Sequence, residues 1–384
     1  MNYILPKNKN AWVFLSIPDF SDNPRALFEY VRREYPNISF SWIVEGYEIC
    51  TRLKESGIDV IRKDSVKGLF TFFRSKVVIT SHANLSSIKS GRQLFINLWH
   101  GIPLKSIGYM DLEEKDSQNR NLNKNNIVTT STSATVNTIF GGCYHLNALF
   151  LSVTGFPRND NLFNPVTEEE LSTLLNRGTS KFSNIIMYMP TFRQGYLNRS
   201  EGEQLKIDNI FRMVGFNNEG FNKFLEREKI LFICKLHPFE EKLFKGQLDK
   251  IKENYVLLTN DSLNKHNVEL YRVLASSNLL VTDYSSVYFD YLLLKRPIIF
   301  TPTDLEEYQR KRGFLLEPYD FWTPGPKAVT QESLQVEILK SLNNPGYFRK
   351  ERDTINDIIN HYKDNRSCER VTNLIMEKLK TKVK

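Results

Sequence analysis

The chain has 384 residues, too many for one ordinary core, so two domains are expected, each large enough to bury a proper interior. Hydrophobic residues make up 41% and charged residues 25%, an ordinary soluble balance, and no apolar run approaches the ~20 residues needed to cross a bilayer. The formal charge of +8 points to an anionic partner: nucleic acid, anionic lipid or a phosphate-rich polymer. Cys50, Cys143, Cys234 and Cys368 are far apart and form no CxxC pair, so they read as reduced thiols rather than zinc ligands or a disulfide framework. Met1 leads into the polar stretch Pro6 to Asn10 with no signal-peptide core, so a soluble or peripherally attached protein is expected.

In chain order, Trp12 to Ile17 reads as a strand, followed by a polar turn and a helix carrying Ala26, Leu27, Tyr30 and Val31. Ser39 to Val44, Asp59 to Arg62 and Val77 to Thr80 read as strands; Tyr47 to Glu55 and Val66 to Phe73 read as helices between them. This alternation predicts a parallel, doubly wound sheet. Leu94 to Trp99 is a strand that delivers His100 and Gly101, and Ile127 to Ser131 and Ala148 to Val153 are two more. The Asn/Lys-rich stretch Asp111 to Asn126 reads as a surface segment. Asn161 to Asn184, with a short helix near Glu168 to Asn176, reads as the connection to a second βα series. That series has strands at Ile185 to Met189, Leu231 to Leu236 and Val256 to Thr259, and a helix at His266 to Ala275. It leads into Leu279 to Phe300, a strand–turn–helix–strand unit whose turn crowds Thr282, Asp283, Ser285 and Ser286. Gln331 to Lys384 is expected to be helical. The expected domains are 1–165, 166–345 and a C-terminal helical segment 346–384.

Ligands of open α/β sheets bind beyond the carboxyl ends of the strands. Five strands here end in reactive or phosphate-binding residues: Trp99-His100-Gly101, Gly155-Phe156-Pro157-Arg158, Thr191-Phe192-Arg193, Lys235-Leu236-His237-Pro238 and Thr282-Asp283-Tyr284-Ser285-Ser286. A lone histidine at a strand end is more often structural, but several such ends in two Rossmann-like halves facing across a cleft point to phosphate handling. There is no GxGxxG after the first strand, no GxxxxGK[ST], no HExxH and no GxSxG. The remaining inventory can bind a pyrophosphate without a divalent metal and remove a proton from a hydroxyl.

The set NLWHGIPLKSIG, VTGFPRND, YMPTFR, CKLHP, VTDYSSVYFDYLLLKRPIIF and RGFLLEPYDFWTPGP, in order from Asn97 to Pro326, closely resembles the CDP-glycerol glycerophosphotransferase family, the TagF/TagB-like enzymes of teichoic acid and capsule polymer synthesis. Ile102 is a small departure, at a place where Thr is expected after the Trp-His-Gly. The resemblance implies a GT-B fold: two Rossmann-like, doubly wound parallel-sheet domains facing across a cleft, with C-terminal helices. It also implies transfer of glycerol phosphate from CDP-glycerol to a hydroxyl of a polyprenyl-diphosphate-linked or polymeric acceptor, with release of CMP. Under that mechanism His100 is the candidate base, with His237 and Asp283 as further catalytic candidates. Arg193, Lys235, His237, Thr282, Ser285 and Ser286 are expected to bind the donor, with Arg312, Gly313 and Pro324-Gly325-Pro326 closing over it. Gly101, Lys105, Arg158, Asn159 and Asp160 are expected on the acceptor side. No metal, no other cofactor and no nucleic acid are expected.

The protein is expected in the cytoplasm, peripheral at an anionic inner membrane face, with the basic last helix as the expected contact. A ribitol-phosphate transferase using CDP-ribitol, or a single-addition primase, would carry the same motifs. A GT-B glycosyltransferase or sugar-nucleotide epimerase would share the two sheets but normally keep a sugar-binding acidic pair in place of these motifs. A non-enzymatic anion-binding protein at a membrane surface is favoured by the basic charge alone.

Overall fold

The computed structural model describes residues 2–111, 127–192, 209–237, 240, 241, 244 and 254–381. The chain divides into two compact units, one of residues 1–102, 106–163 and 358–384, the other of 103–105 and 164–357. In the first unit, β1 (Asn8–Leu15), α1 (Asp22–Glu34), β2 (Ser39–Val44), α2 (Tyr47–Glu55), β3 (Val60–Arg62), α3 (Val66–Arg74) and β4 (Ser75–Thr80) alternate as expected. β5 (Leu94–Asn97), β6 (Val128–Ser131), α4 (Ala134–Tyr144) and β7 (Leu151–Val153) complete it. The strand order is β3-β2-β1-β4-β5-β6-β7, and every pairing is parallel.

The second unit contains α5 (Glu168–Leu175), β8 (Asn184–Tyr188), α6 (Asn218–Arg227), β9 (Ile230–Cys234) and β10 (Tyr255–Leu257). α7 (Asn260–Lys265), α8 (Leu270–Ala275), β11 (Leu279–Thr282), α9 (Val287–Tyr291) and β12 (Ile298–Phe300) follow, then α10 (Leu305–Arg312), α11 (Tyr319–Trp322), α12 (Gln331–Asn343) and α13 (Arg349–Ile359). Its sheet is also all-parallel, in the order β10-β9-β8-β11-β12. The strand order reverses between β1 and β4 in one unit and between β8 and β11 in the other. Such reversals open a crevice at the carboxyl ends of the strands.

Each sheet is covered by helices, so its strands read as nearly continuous apolar runs. In the first unit Trp12, Phe14 and Trp42 of the sheet pack with Leu27 and Val31 of α1. The last helix, α14 (Ser367–Thr381), joins the same core through Cys368, Val371 and Ile375, with Leu374 and Leu379 packed against it. The C-terminal segment is therefore shared, 346–357 going with the second unit and 358–384 with the first. The apolar residues of α14 are occupied by this core, so the basic last helix has none of these to offer a membrane.

The helix expected at His266 to Ala275 is the shorter α8, with α7 as a separate helix before it, and the helix after the Thr-Asp-Tyr-Ser-Ser turn is five residues followed by a 3-10 turn, Leu292–Leu294. The helix α4 and the pair α10 and α11 were not anticipated. Pro324-Gly325-Pro326 also departs from expectation. Phe300 N–H donates to Pro326 O at 2.9 Å, and a Cβ on Gly325 would lie 2.1 Å from Ile298 O. The segment lies flat along β12, where only glycine fits.

Candidate functional site

In the first unit, four strand ends converge on His100. Its ring stacks on His82 with centroids 4.0 Å apart and 6° between planes, and on Trp99 at 4.5 Å. Trp99 is held at φ 59 and Gly101 at φ 144, so the chain turns sharply on either side of the histidine, and at Gly101 that geometry favours glycine. His100 Nδ1 contacts Ser81 O at 3.3 Å. A carbonyl oxygen only accepts, so this contact places the ring hydrogen on Nδ1 and the lone pair on Nε2, the form that can take a proton. His82 Nδ1 lies 2.7 Å from Ser81 Oγ, which also accepts from Ile17 N–H. Burial lowers the His82 pKa below its ordinary value, against an opposing pull from Asp22.

Arg158 fixes the backbone of the same site. Its Nη1 donates to His100 O at 2.9 Å and to Asp22 Oδ1 at 2.8 Å, and the side chains of both ion-pair partners are nearly buried. Asn23 completes the lattice: Nδ2 donates to Trp99 O at 2.9 Å, and Oδ1 accepts from Arg158 N–H at 3.0 Å. Arg158 thus holds the loop that presents His100. Asn159 is buried beside it.

Asp160 departs from the acceptor-side expectation. Its two oxygens accept from Ser367 N–H at 2.9 Å and Cys368 N–H at 2.8 Å, so it caps the N-terminus of α14. Burial still raises its pKa, with those hydrogen bonds opposing. Lys105 departs as well, because it belongs to the second unit, bridged antiparallel to Phe314.

In the second unit the β8 and β11 ends are tied together by Asp283. Its Oδ1 accepts from Thr191 N–H at 2.7 Å and also from Tyr284 N–H, and the residue is 2% exposed. Thr282 Oγ1 donates to Met189 O at 2.7 Å, so this hydroxyl also serves the strand ends. Phe192 stacks on the His237 ring with centroids 4.2 Å apart. Burial, then the charge of Lys235, lower the His237 pKa, so the ring is neutral near pH 7. Lys235 itself donates to Leu236 O at 2.9 Å and pairs with Glu241 Oε1 at 2.6 Å. Ser285 and Ser286 are half-buried, and Ser286 makes no side-chain capping bond to α9. Arg193 lies outside the described residues.

Arg312 ends α10, and Gly313 stands at φ 66 as its cap. The segment after them is clamped onto the turn by aromatic rings. Tyr284 stacks on Tyr308 at 4.0 Å and donates its hydroxyl to Asp304 Oδ1 at 3.0 Å. Tyr319 donates to Asp283 O at 3.3 Å, and Phe314 packs against Tyr284, Tyr308 and Tyr319. Lys327 Nζ caps Thr323 O and Gly325 O, and burial brings its pKa down to about 8.

The structure therefore brings His100, Gly101, Arg158 and Asn159 together in one unit. In the other it brings Lys235, His237, Thr282 and Asp283 together. Sequence reasoning passed over Asp22, Asn23 and His82, although His82 follows a strand end by the same criterion that selected His100. The Lys235–Glu241 pair carries no local signal, since it depends on how the chain turns after His237.

A model of the family described as CDP-Glycerol:Poly(glycerophosphate) glycerophosphotransferase matches residues 1–377. The teichoic acid poly(glycerol phosphate) polymerase of Bacillus subtilis (strain 168) is 29% identical over 370 residues, 89% of this chain and 45% of that protein. The chain thus spans less than half the length of that relative. The teichoic acid glycerol-phosphate transferase of Staphylococcus aureus (strain NCTC 8325 / PS 47) is 29% identical over 360 residues, 88% of this chain and 85% of that one. The solved wall teichoic acid polymerase TagF superposes with a TM-score of 0.77 at 23% identity, covering 98% of this chain and 90% of that one. At that identity the likeness shows the fold, the paired parallel-sheet units of a GT-B protein. With its motifs in order and the match running almost end to end, the chain belongs to the CDP-glycerol:poly(glycerophosphate) glycerophosphotransferase family.

Proposed function

We propose that this chain moves glycerol phosphate from CDP-glycerol to a hydroxyl of a polyprenyl-diphosphate-linked or polymeric acceptor, releasing CMP, in teichoic acid or capsular polymer synthesis. The observation that carries the reading is the His100 arrangement, an imidazole whose Nδ1 faces a carbonyl oxygen and leaves Nε2 for a substrate, at the carboxyl end of an interior strand. Nε2 takes the proton of the acceptor hydroxyl as its oxygen attacks the phosphorus that bears the glycerol. The new P–O bond forms as the bond to the CMP oxygen breaks. His237, neutral near pH 7, donates a hydrogen bond to the diphosphate, and Ser285 and Ser286 supply hydroxyl donors. Lys235 joins them once the diphosphate competes with Glu241 for its ammonium. The reaction needs no metal in this scheme, because fixed N–H and O–H donors hold the charge.

The test is to incubate purified protein with CDP-glycerol, a lipid-linked acceptor and EDTA, and to follow CMP. Acceptor-dependent CMP release that survives EDTA is expected. Loss on chelation with recovery by Mg²⁺ would contradict the metal-free scheme; release from CDP-ribitol alone would move the reading to ribitol phosphate. Release from neither donor would favour sugar-nucleotide chemistry.

For the donor cluster, His237→Ala, Ser285→Ala and Ser286→Ala should each weaken CDP binding by about tenfold or more, as loss of a hydrogen bond to a charged group does. Isothermal titration with CDP reads this directly. Unchanged affinity in all three variants would make the cluster structural.

We further place the protein at the inner face of the cell membrane as a peripheral component, since the acceptor of this scheme is lipid-held. Among the described residues no helix is long and apolar enough to cross a membrane.

A further inference from the structure

The helix α3 is amphipathic in the inverted sense. Gly68 and Phe72 face inward, and a Cβ on Gly68 would lie 2.3 Å from Arg62 O, so the helix sits close against the end of β3. Val66, Leu69, Phe70 and Phe73 recur at i, i+3, i+4 and i+7, which makes them one stripe. That stripe turns outward: Val66 is 86%, Leu69 42% and Phe70 46% exposed, and Phe73 is partly exposed. The exposed Tyr3 and Ile4 lie beside its end, where Lys7 Nζ ties Asn2 O to Phe73 O.

The rim of this stripe is basic. Lys67, Arg74 and Arg92 are exposed, and among the described residues none has a carboxylate partner. Lys76 Nζ reaches Arg92 O at 3.1 Å, which keeps its charge beside theirs. The Arg74 guanidinium lies 5.6 Å from the centre of the Phe70 ring, so cation and apolar surface are interleaved. A buried interface with a second copy would set these cations against one another, and a neutral apolar partner would leave them unmatched. Apolar side chains that enter the acyl boundary beneath cations that stay at the headgroups fit an anionic bilayer.

We propose that α3, with the 3–4 segment beside it, is the surface by which this chain lies on an anionic lipid membrane. The proposal rests on the membrane reading above and changes its contact, because the apolar residues of α14 are spent in the core.

The test is flotation of the full chain with phosphatidylglycerol and phosphatidylcholine vesicles, with thermal melts and CDP titration as controls on folding. Wild type should float with the anionic vesicles at low salt and be released by high salt. Leu69→Gln with Phe70→Gln should lower the bound fraction at least about tenfold, each side chain losing an apolar insertion. Lys67→Gln with Arg74→Gln, which leaves the stripe intact, should remove the preference for anionic vesicles, roughly fivefold per charge. Lys378→Gln with Lys380→Gln should bind nearly as wild type. Binding lost in the Lys378/Lys380 variant and kept in both α3 pairs would overturn the α3 assignment and leave the membrane reading standing. A wild-type protein that floats with neither vesicle would overturn both. So would dimers, in place of vesicle binding, that the α3 variants dissolve.

Discussion

His100→Ala should fold, bind CDP with unchanged affinity, and release CMP more slowly by a factor on the order of 100 or greater. The ring stacks on His82 and Trp99 and contacts Ser81 O, all at neighbouring strand ends. Its loss therefore removes chemistry more than stability. The partner ring sharpens the experiment. His82→Gln leaves His100 in place but removes the stacked neighbour, so it should alter the pH profile of kcat/KM while His100→Ala lowers its plateau. A His100→Ala protein with near-normal turnover, or one that unfolds, would make the ring a structural element beneath the strand ends.

Arg158→Ala should lower stability by about 3–5 kcal/mol, the range seen when one partner of a buried pair is removed. Asp22 would keep a nearly buried carboxylate with no counter-charge, and His100 O would lose its donor. Activity should fall with stability, because the loop that aims His100 is held by that same guanidinium. Replacing both partners, Arg158→Met with Asp22→Asn, should restore much of the stability without restoring full activity, since the bond to His100 O stays broken. Chemical unfolding curves followed by tryptophan fluorescence read the first effect and CMP release the second. Equal stability of wild type and Arg158→Ala would show that the pair contributes nothing measurable.

The two α/β series were legible because apolar runs such as Val77 to Thr80 and Leu279 to Val281 are buried on both faces and carry their own signature. The strand ends that bear His100, Arg158, His237 and Asp283 followed from the same rule about parallel sheets. What the sequence did not reveal depends on partners far along the chain. Asp160 looks like a site residue beside Arg158 until Ser367 and Cys368, some 200 positions later, present their N–H groups to it. Pro324-Gly325-Pro326 has the composition of a loop, yet lies flat because Ile298 O leaves no room for a side chain. The last helix, basic towards its end, reads as a surface element from charge alone; Val371 and Ile375 show its other face in the core. For α3 the helix itself was legible from Val66 to Phe73, but the sequence alone does not say which face turns inward. Gly68 decides that, since it is the residue that allows close approach to Arg62 O.

The most direct measurement is the mass of the acceptor after reaction with CDP-glycerol. One glycerol phosphate unit gained for each CMP released is the expected result, and it should be lost in His100→Ala. CMP released without any gain in acceptor mass would show hydrolysis in place of transfer, and would contradict the assignment of His100 as the base for an acceptor hydroxyl.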